Sequence, residues 1–319
     1  MIHKITLLIT IVILNITLAS ASDSKRLAYM VSDINIPFWN IMSKGIKKGA
    51  SVSGYDVDIY SARNIKKDEI GNLAKIIEKK YAGIVLSPIN SSTAVTVLKI
   101  AKSANIPVVI SDIGTDKGEY VSFISSNNLK GAYEIGKVLA DKMTELNYHK
   151  DGTVGIIAIP QTRSNGKART NGFIMALDEN DIKTAGLLQQ VDFSYKETYD
   201  HSITLIKNNP KLKAIWLQGS DKYKGAMDAI KDSGKEGEIL LICFDAEPEF
   251  LDMIPDGKLV GAAMQQPYLM GEMAANNLVN HINGKEVTKN QELDILAISN
   301  KNIKEKLPLI KRNVLGIEK

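Results

Sequence analysis

The feature that most constrains the fold is a regular alternation of short apolar segments with longer amphipathic segments. Residues 27–31, 83–87 and 106–111 carry no charged side chain. Between them lie segments such as 70–77, where apolar residues recur at the spacing of one helix face. Strands that are apolar throughout are typical of a parallel sheet covered by helices on both faces. The sequence therefore predicts an α/β protein.

The alternation runs twice along the 319-residue chain. The first run begins at residue 27, breaks at the polar segment 125–128, and the second run extends to about residue 298. We find no short-period repeat and no long low-complexity linker between the runs. We therefore predict two Rossmann-like lobes, each a parallel sheet flanked by helices.

Three local predictions concern the second run. The segment 160–166 is expected to be a loop, with a helix from about residue 168 to 179. Residues 187–193 are expected to form a strand, and Ser194–Glu197 reads as a capping box that opens the next helix. The apolar stretch 293–298 is expected to be the final strand.

Residues 1–21 are expected to form a cleavable signal peptide. Lys4 is their only charged residue, 5–18 is an apolar run, and 19–21 fits a small-residue cleavage site. A transmembrane anchor is the alternative, but the run is short and is interrupted by Asn15. We therefore expect a periplasmic protein and leave these residues out of the fold.

Composition and motifs argue against several classes of function. The chain has 40 basic and 36 acidic residues, and its scattered lysines form no basic tract for nucleic acid. Cys243 is the single cysteine and lies in an apolar segment, so no internal disulfide is possible. The four histidines lack metal-ligand spacing, and hydrolase, P-loop and dinucleotide motifs are missing. We therefore expect no cofactor, no metal and no enzymatic activity.

The loop 32–40 joins the first predicted strand to the first helix. It combines short polar side chains, Asp33 and Asn35, with two adjacent large rings, Phe38 and Trp39. Such a set suits a sugar, whose C–H face stacks on a ring while its hydroxyls bind fixed donors and acceptors. The alternative is that both rings cap the core beneath the first helix.

Further candidate side chains cluster where later strands end, which is where open α/β sheets bind ligands. Each has a simpler alternative: Asp112 and Asp245 could cap helices, Lys167 could lie on a solvated helix face, and Gln265 could be a turn residue. Taken together, carboxylates, a basic pair and an amide predict a cleft that binds hydroxyl groups. These candidates are Ser87, Asp112, Lys167, Arg169, Phe193, Gly219, Asp245 and Gln265.

The chain resembles the type I periplasmic binding proteins, specifically the ribose/galactose-binding and LacI-like sugar group. The resemblance covers about residues 27–298 and is carried by the stretches 36–39, 83–88, 104–109, 167–173, 241–245 and 265–267. It implies two lobes joined by three crossovers, near 125–127, 265 and 290, which close on a ligand by a hinge motion. The implied division is 22–125 plus 266–290 for the N-terminal lobe and 126–265 plus 291–319 for the C-terminal lobe.

The resemblance also implies roles for individual residues. Phe38 and Trp39 match the aromatic pair of the family, and Phe193 matches an aromatic residue of the second lobe. Asp112 and Asp245 match the two acids that accept sugar hydroxyls. Further matches are Gln265 with the crossover amide and Lys167, followed by Arg169, with an arginine of the ribose binders.

Four positions depart from the pattern of the ribose binders. Ile113 stands where those proteins have an arginine, and Ser87, Gly219 and Ile36 stand for asparagines. The resemblance therefore favours a ligand other than ribose, either another sugar or a ligand that is larger or less polar.

The resemblance implies a binding protein that delivers a small polyol, expected to be a sugar, to an inner-membrane ABC permease. The alternative is a sensory subunit of the same fold that docks on a membrane histidine kinase or a chemoreceptor. A secreted enzyme finds no support in the motifs, and the predicted signal peptide disfavours a DNA-binding repressor. We expect a monomer without a nucleic-acid partner.

Overall fold

The structure is a computed structural model that describes residues 25–317. The predicted signal peptide and residues 318–319 lie outside the described part of the chain. Elements are numbered in chain order.

The first sheet contains six parallel strands. They are β1 (Arg26–Val31), β2 (Asp56–Ser61), β3 (Gly83–Ser87), β4 (Val108–Ser111), β5 (Ser122–Ser126) and β11 (Asn290–Leu293). Their order across the sheet is β11-β5-β4-β3-β1-β2. The helices associated with this sheet are α1 (Pro37–Ser51), α2 (Lys66–Glu78), α3 (Ser91–Ser103) and α9 (Pro267–Ile282).

The second sheet repeats this arrangement. Its strands are β6 (Thr153–Ala158), β7 (Lys183–Gln189), β8 (Leu212–Leu217), β9 (Leu240–Phe244), β10 (Gly261–Met264) and β12 (Leu296–Ser299). Their order is β12-β10-β9-β8-β6-β7, and only the pairing of β12 with β10 is antiparallel. Its helices are α4 (Asn128–Glu145), α5 (Ser164–Asp178), α6 (Tyr195–Asn208), α7 (Tyr223–Asp232), α8 (Phe250–Met253) and α10 (Ile303–Leu309), followed by a π-helical turn (Ile310–Val314).

The predicted fold class is confirmed: the protein has two α/β lobes, each with a helix-flanked sheet. The first sheet is parallel throughout, and the second is parallel except for its edge strand β12. The chain leaves the first sheet after β5, returns to it in α9 and β11, and crosses again between β11 and β12. The predicted residue boundaries of the lobes stay a prediction.

Glycines allow one close helix pair in each lobe. A Cβ atom on Gly45 of α1 would lie 2.0 Å from the carbonyl oxygen of Tyr268 in α9. A Cβ atom on Gly172 of α5 would lie 2.0 Å from the carbonyl oxygen of Leu129 in α4. No side chain fits at such a distance, so the two glycines let backbones touch. This packing fixes α1 and α5, whose first turns lie beside the cleft.

Three elements differ from the local predictions. Helix α5 begins at Ser164 rather than 168. The prediction starts too late because the residues of the first turn are polar and do not show a helical pattern. Strand β7 runs from Lys183 to Gln189 instead of from 187 to 193. The prediction misses its first residues because β7 is an edge strand, and such a strand need not be apolar throughout. The stretch 293–298 contains the end of β11 and the start of β12, which belong to different sheets.

Candidate ligand-binding cleft

A cavity of about 50 Å³ lies between the two lobes, at the carboxyl ends of their strands. In open α/β sheets this edge is the usual place for a ligand. The residues that line it are Ile36, Phe38, Trp39, Asp112, Ile159, Arg163, Asn165, Arg169, Gln190, Phe193, Gly219, Asp221, Asp245 and Gln265.

Asp112 and Asp245 occupy equivalent places in the two lobes. Asp112 directly follows β4 and Asp245 directly follows β9, the third strand in the order of each sheet. Both have a left-handed backbone, with φ of 65° and 68°. Each donates its N–H at 2.9 Å to the strand beside it, at Ile124 and Ala263 respectively. Neither residue caps a helix, so both side chains are free to face the cleft.

The Asp112 carboxylate is buried without full compensation. The residue is 5% exposed, and its Oδ1 has no hydrogen-bond partner. Its Oδ2 accepts a long bond of 3.4 Å from Nδ2 of Asn165 in the opposite lobe. Burial raises the pKa of Asp112 to about 6, although the positive charge of Arg169 opposes the rise.

Asp245 has closer partners. Its Oδ1 accepts a 2.7 Å hydrogen bond from Nε2 of Gln265, the residue after β10. Its Oδ2 lies 3.6 Å from Nη1 of Arg169. Burial raises the pKa of Asp245, and Arg169 and Gln265 act against that rise. The Oε1 atom of Gln265 is buried and has no partner, so a second acceptor is left open here.

Arg169 is held rigidly at the cleft wall and is only 3% exposed. Its Nε donates to Oδ1 of Asn128 at 2.8 Å, and its Nη1 donates to the carbonyl oxygen of Gln218 at 2.7 Å. The guanidinium also lies 3.8 Å from the ring centroid of Phe244. Three fixed contacts pre-organise this group before any ligand arrives.

Arg163 connects the two lobes across the cleft. It precedes α5 in the second lobe, yet its Nε donates to the carbonyl oxygen of Ile89 at 3.2 Å, in the loop after β3. Its Nη2 lies 3.5 Å from Oδ1 of Asn64, and its guanidinium lies 5.4 Å from the Phe193 ring centroid. Burial lowers the pKa of Arg163 to about 10, so the group stays charged at neutral pH.

The aromatic side chains of the cleft differ in burial. The rings of Phe38 and Trp39 meet edge to face, with centroids 4.8 Å apart. Trp39 is only 4% exposed and packs in the hydrophobic core of the first lobe, whereas Phe38 is partly exposed. Trp39 thus largely follows the core-capping alternative while its edge still lines the cavity.

Phe193 reaches the cleft from a loop that Glu197 holds in place. Its φ is 52°, in the left-handed region. The Glu197 carboxylate accepts from the backbone N–H groups of Val191, Asp192 and Phe193 at 2.6, 3.0 and 2.9 Å. Ser194 caps α6 as predicted, but Glu197 restrains this loop instead of completing the capping box.

A family model described as a periplasmic binding protein domain matches residues 27–286. The chain belongs to this family. Its curated relatives include the ribose import binding protein of Bacillus subtilis (strain 168), which is 28% identical over 260 residues, covering 81% of this chain and 82% of the relative. The ribose import binding protein of Escherichia coli (strain K12) is 26% identical over 296 residues, covering 92% and 98%.

The solved structures support the same fold. A carbohydrate transporter solute binding protein from Agrobacterium radiobacter, in complex with D-arabinose, superposes with a TM-score of 0.83. The match has 21% identity and covers 92% of this chain and 99% of that one. The chain therefore shares the two-lobed architecture of this solved structure over 92% of its length.

Eight of the twelve site residues predicted from the sequence of this periplasmic binding protein line the cavity. The other four do not line it. Asp33 accepts hydrogen bonds from the exposed residue Asn35. Ser87 is buried, and Lys167 is exposed. The Ser87 hydroxyl bonds to Ser111 at 2.9 Å beneath the cleft. The eight residues are Phe38, Trp39, Asp112, Arg169, Phe193, Gly219, Asp245 and Gln265. Their role in binding a ligand stays a prediction.

Sequence reasoning did not select six residues that line the cavity. Arg163 and Asn165 belong to a segment that was expected to be a loop, and a correct helix start would have placed both at the cleft. Asp221 follows the strand end at β8, in the polar segment 218–221 from which only Gly219 is predicted as a site residue. The full set is Ile36, Ile159, Arg163, Asn165, Gln190 and Asp221.

Within residues 25–317, no helix is long and apolar enough to cross a membrane. Over the same residues, no group of three or more histidine, cysteine or acidic side chains is arranged to hold a metal ion.

Proposed function

We propose that this periplasmic binding protein captures a small sugar in the interlobe cleft and delivers it to an inner-membrane ABC importer. The names of its curated relatives support the class of ligand, since both are ribose import binding proteins. The chain acts by reversible binding, with no chemical conversion of the ligand.

The observation that carries the proposal is a pair of buried acceptors without partners. Oδ1 of Asp112 and Oε1 of Gln265 lie in residues that line the cavity, and neither accepts a hydrogen bond. A buried polar atom left unpaired costs roughly 1–3 kcal/mol. Hydroxyl groups of a polyol remove this cost by donating to both atoms, which a purely apolar ligand cannot do.

The remaining cleft residues suit the other surfaces of a sugar. Phe38 and Phe193 offer ring faces or edges for its C–H groups. Asp245 accepts further hydroxyls, and the fixed guanidinium of Arg169 donates to ring or hydroxyl oxygens. These groups come from both lobes, so binding and lobe closure are coupled through a hinge at the three crossovers.

Export fits the same role. Residues 1–21 act as the cleaved signal peptide and the mature protein works in the periplasm, as a monomer that presents its loaded form to the permease. The lobes divide at about residues 125, 265 and 290, as the sequence predicts.

The first test is a thermal-shift screen of the mature protein with pentoses, hexoses and sugar alcohols, followed by calorimetric titration of each hit. A ligand that binds only the folded state raises the melting temperature once its concentration exceeds its Kd. We expect one sugar to bind, and we expect Asp245→Asn to weaken the binding of that sugar about tenfold or more. Asp116→Asn, on an exposed loop, serves as the control.

The second test concerns delivery. Loaded protein should stimulate ATP hydrolysis by its reconstituted ABC transporter, and Asp245→Asn at the same sugar concentration should stimulate it less. A screen without any binding sugar would contradict the sugar-binding proposal. Binding without stimulation would contradict the import role and favour the sensory alternative.

A further inference from the structure

The two helices that face the cleft begin in the same way but carry different side chains. Ile36 precedes α1 and Arg163 precedes α5. Both have extended backbones, with φ and ψ of −77° and 125° for Ile36 and −89° and 131° for Arg163. Neither side chain caps its helix, and both line the cavity. The first lobe thus places an isoleucine where the second lobe places a buried arginine.

The same contrast occurs two residues further along each helix. Phe38 in α1 and Asn165 in α5 are equivalent positions, and both line the cavity. The carboxylates Asp112 and Asp245 are the equivalent pair that is polar in both lobes. Among residues 25–126, the cavity is lined by Ile36, Phe38, Trp39 and Asp112, of which only Asp112 and the indole N–H of Trp39 can form hydrogen bonds.

Two further residues of the first lobe near the cavity, Ile113 and Ser87, supply no donor to it. Ile113 follows Asp112 but is fully buried in the hydrophobic core of the first lobe. The Ser87 hydroxyl is already engaged, at 2.9 Å from Oγ of Ser111 and 3.2 Å from the hydroxyl of Tyr29. The second lobe, in contrast, lines the cavity with six polar side chains, namely Arg163, Asn165, Arg169, Gln190, Asp221 and Asp245.

We propose that the cleft selects a sugar with one hydroxyl-poor edge, such as a deoxy or methyl-bearing sugar. That edge faces Ile36 and Phe38, and a single hydroxyl beside it donates to Oδ1 of Asp112. The hydroxyl-rich edge faces the second lobe and Gln265. This inference rests on the proposed function and narrows its ligand class. Its physical basis is that a hydroxyl pressed against Ile36 and Phe38 would lose its water without gaining a partner.

The test compares matched pairs of sugars by calorimetric titration of the mature protein. The pairs are D-galactose with D-fucose, D-allose with 6-deoxy-D-allose, and D-ribose with 5-deoxy-D-ribose. In the pair that binds, we expect the deoxy sugar to bind about tenfold tighter than its parent, since the parent buries an unpaired hydroxyl. If the parent binds as tightly or more tightly in every pair, the inference is wrong while the sugar-binding proposal stands. If no member of any pair binds while another sugar of the wider screen does, the inference is wrong and the sugar-binding proposal stands.

A variant tests the position that the inference depends on. Ile36→Asn should fold, because asparagine is favoured before the first turn of a helix. Its side-chain oxygen can accept from that turn while its amide group donates into the cleft. We expect the preference for the deoxy sugar to fall about tenfold. Ile34→Asn is the matched control, because Ile34 is also partly buried in this loop but does not line the cavity. An unchanged preference in Ile36→Asn, or an equal change in the control, would overturn the role of Ile36.

Discussion

The substitution Asp112→Asn should make the ligand-free protein more stable while it weakens sugar binding. Burial raises the pKa of Asp112 from its ordinary value of 3.8 to about 6. The folded state therefore holds this proton more tightly than the unfolded chain does. As the pH rises through this range, the carboxyl group ionises first in the unfolded chain, and the folded state loses stability.

The magnitude follows from that difference. Going from 3.8 to about 6 is a rise of about two pH units, and each unit corresponds to about 1.4 kcal/mol. At pH 7 the ionised carboxylate therefore costs about 3 kcal/mol relative to its protonated form. Asparagine resembles the protonated form, so the variant avoids this cost. It also tolerates the φ of 65° at this position, which adds a smaller gain that does not depend on pH.

The assay is denaturant unfolding of the wild type and the variant at pH 4, 5, 6, 7 and 8 without sugar. The difference in the free energy of unfolding should be small at pH 4, grow through pH 6 and level off at about 3 kcal/mol above pH 7. Calorimetric titration of the same samples should show weaker sugar binding by the variant. Asp116→Asn, on an exposed loop, controls for the loss of one negative charge.

One result would refute this reasoning. If the stability difference between Asp112→Asn and the wild type is independent of pH, the Asp112 carboxylate is not dehydrated in the ligand-free protein. The free protein would then be open in solution, with water reaching Oδ1. A stability gain at pH 7 that disappears on adding sugar would instead support a carboxylate kept for binding at the expense of stability.

Three further predictions follow from other parts of the molecule. Arg163→Ala removes two of the contacts between the lobes and should weaken sugar binding about tenfold by calorimetry, whereas Lys167→Ala, on the exposed face of α5, should leave binding unchanged. Burial raises the pKa of Glu247 from 4.5 to about 7, so Glu247→Gln should be more stable than the wild type at pH 8 and lose this advantage at pH 4 in denaturant unfolding. Gly45→Ala places a Cβ atom 2.0 Å from a backbone carbonyl oxygen of α9 and should destabilise by more than about 2 kcal/mol, whereas Gly71→Ala, with nothing within 4 Å, should stabilise α2 by up to about 1 kcal/mol in thermal unfolding.

The sequence predicts the two sheets well because strand and helix periodicity are local properties of the chain. It fails where tertiary contacts decide the outcome. Strand β7 lies at a sheet edge and is half exposed, so its residues lack the apolar run that marks central strands. Helix α5 opens with Ser164, Asn165 and Gly166, which are poor helix formers, and its packing on α4 overrides that preference.

For the candidate site, too, the sequence predicts what depends on local pattern and fails where tertiary contacts decide. Asp112 and Asp245 could be selected because residues at strand ends share one edge of a parallel sheet. Lys167 is predicted because the resemblance aligns it with an arginine of the ribose binders, but α5 starts at Ser164, which turns Asn165 and Arg169 inward and Lys167 outward. Ser87 is also at a strand end, but its hydroxyl belongs to a buried network whose partners come from β1 and β4.

The contacts of Arg163 show how ligand binding and lobe closure can depend on each other. Arg163 and Asp112, which lie on opposite lobes and attract each other, are both buried in this structure. The arginine finds partners in Ile89 and Asn64, whereas Oδ1 of Asp112 finds none. In the empty cleft, the charged Arg163 of the second lobe therefore has hydrogen-bond partners, whereas the Asp112 carboxylate of the first lobe lacks a partner for Oδ1. If the lobes close by the proposed hinge motion, a hydroxyl that donates to Oδ1 supplies the missing partner in the closed form, and the ligand shifts the equilibrium toward closure.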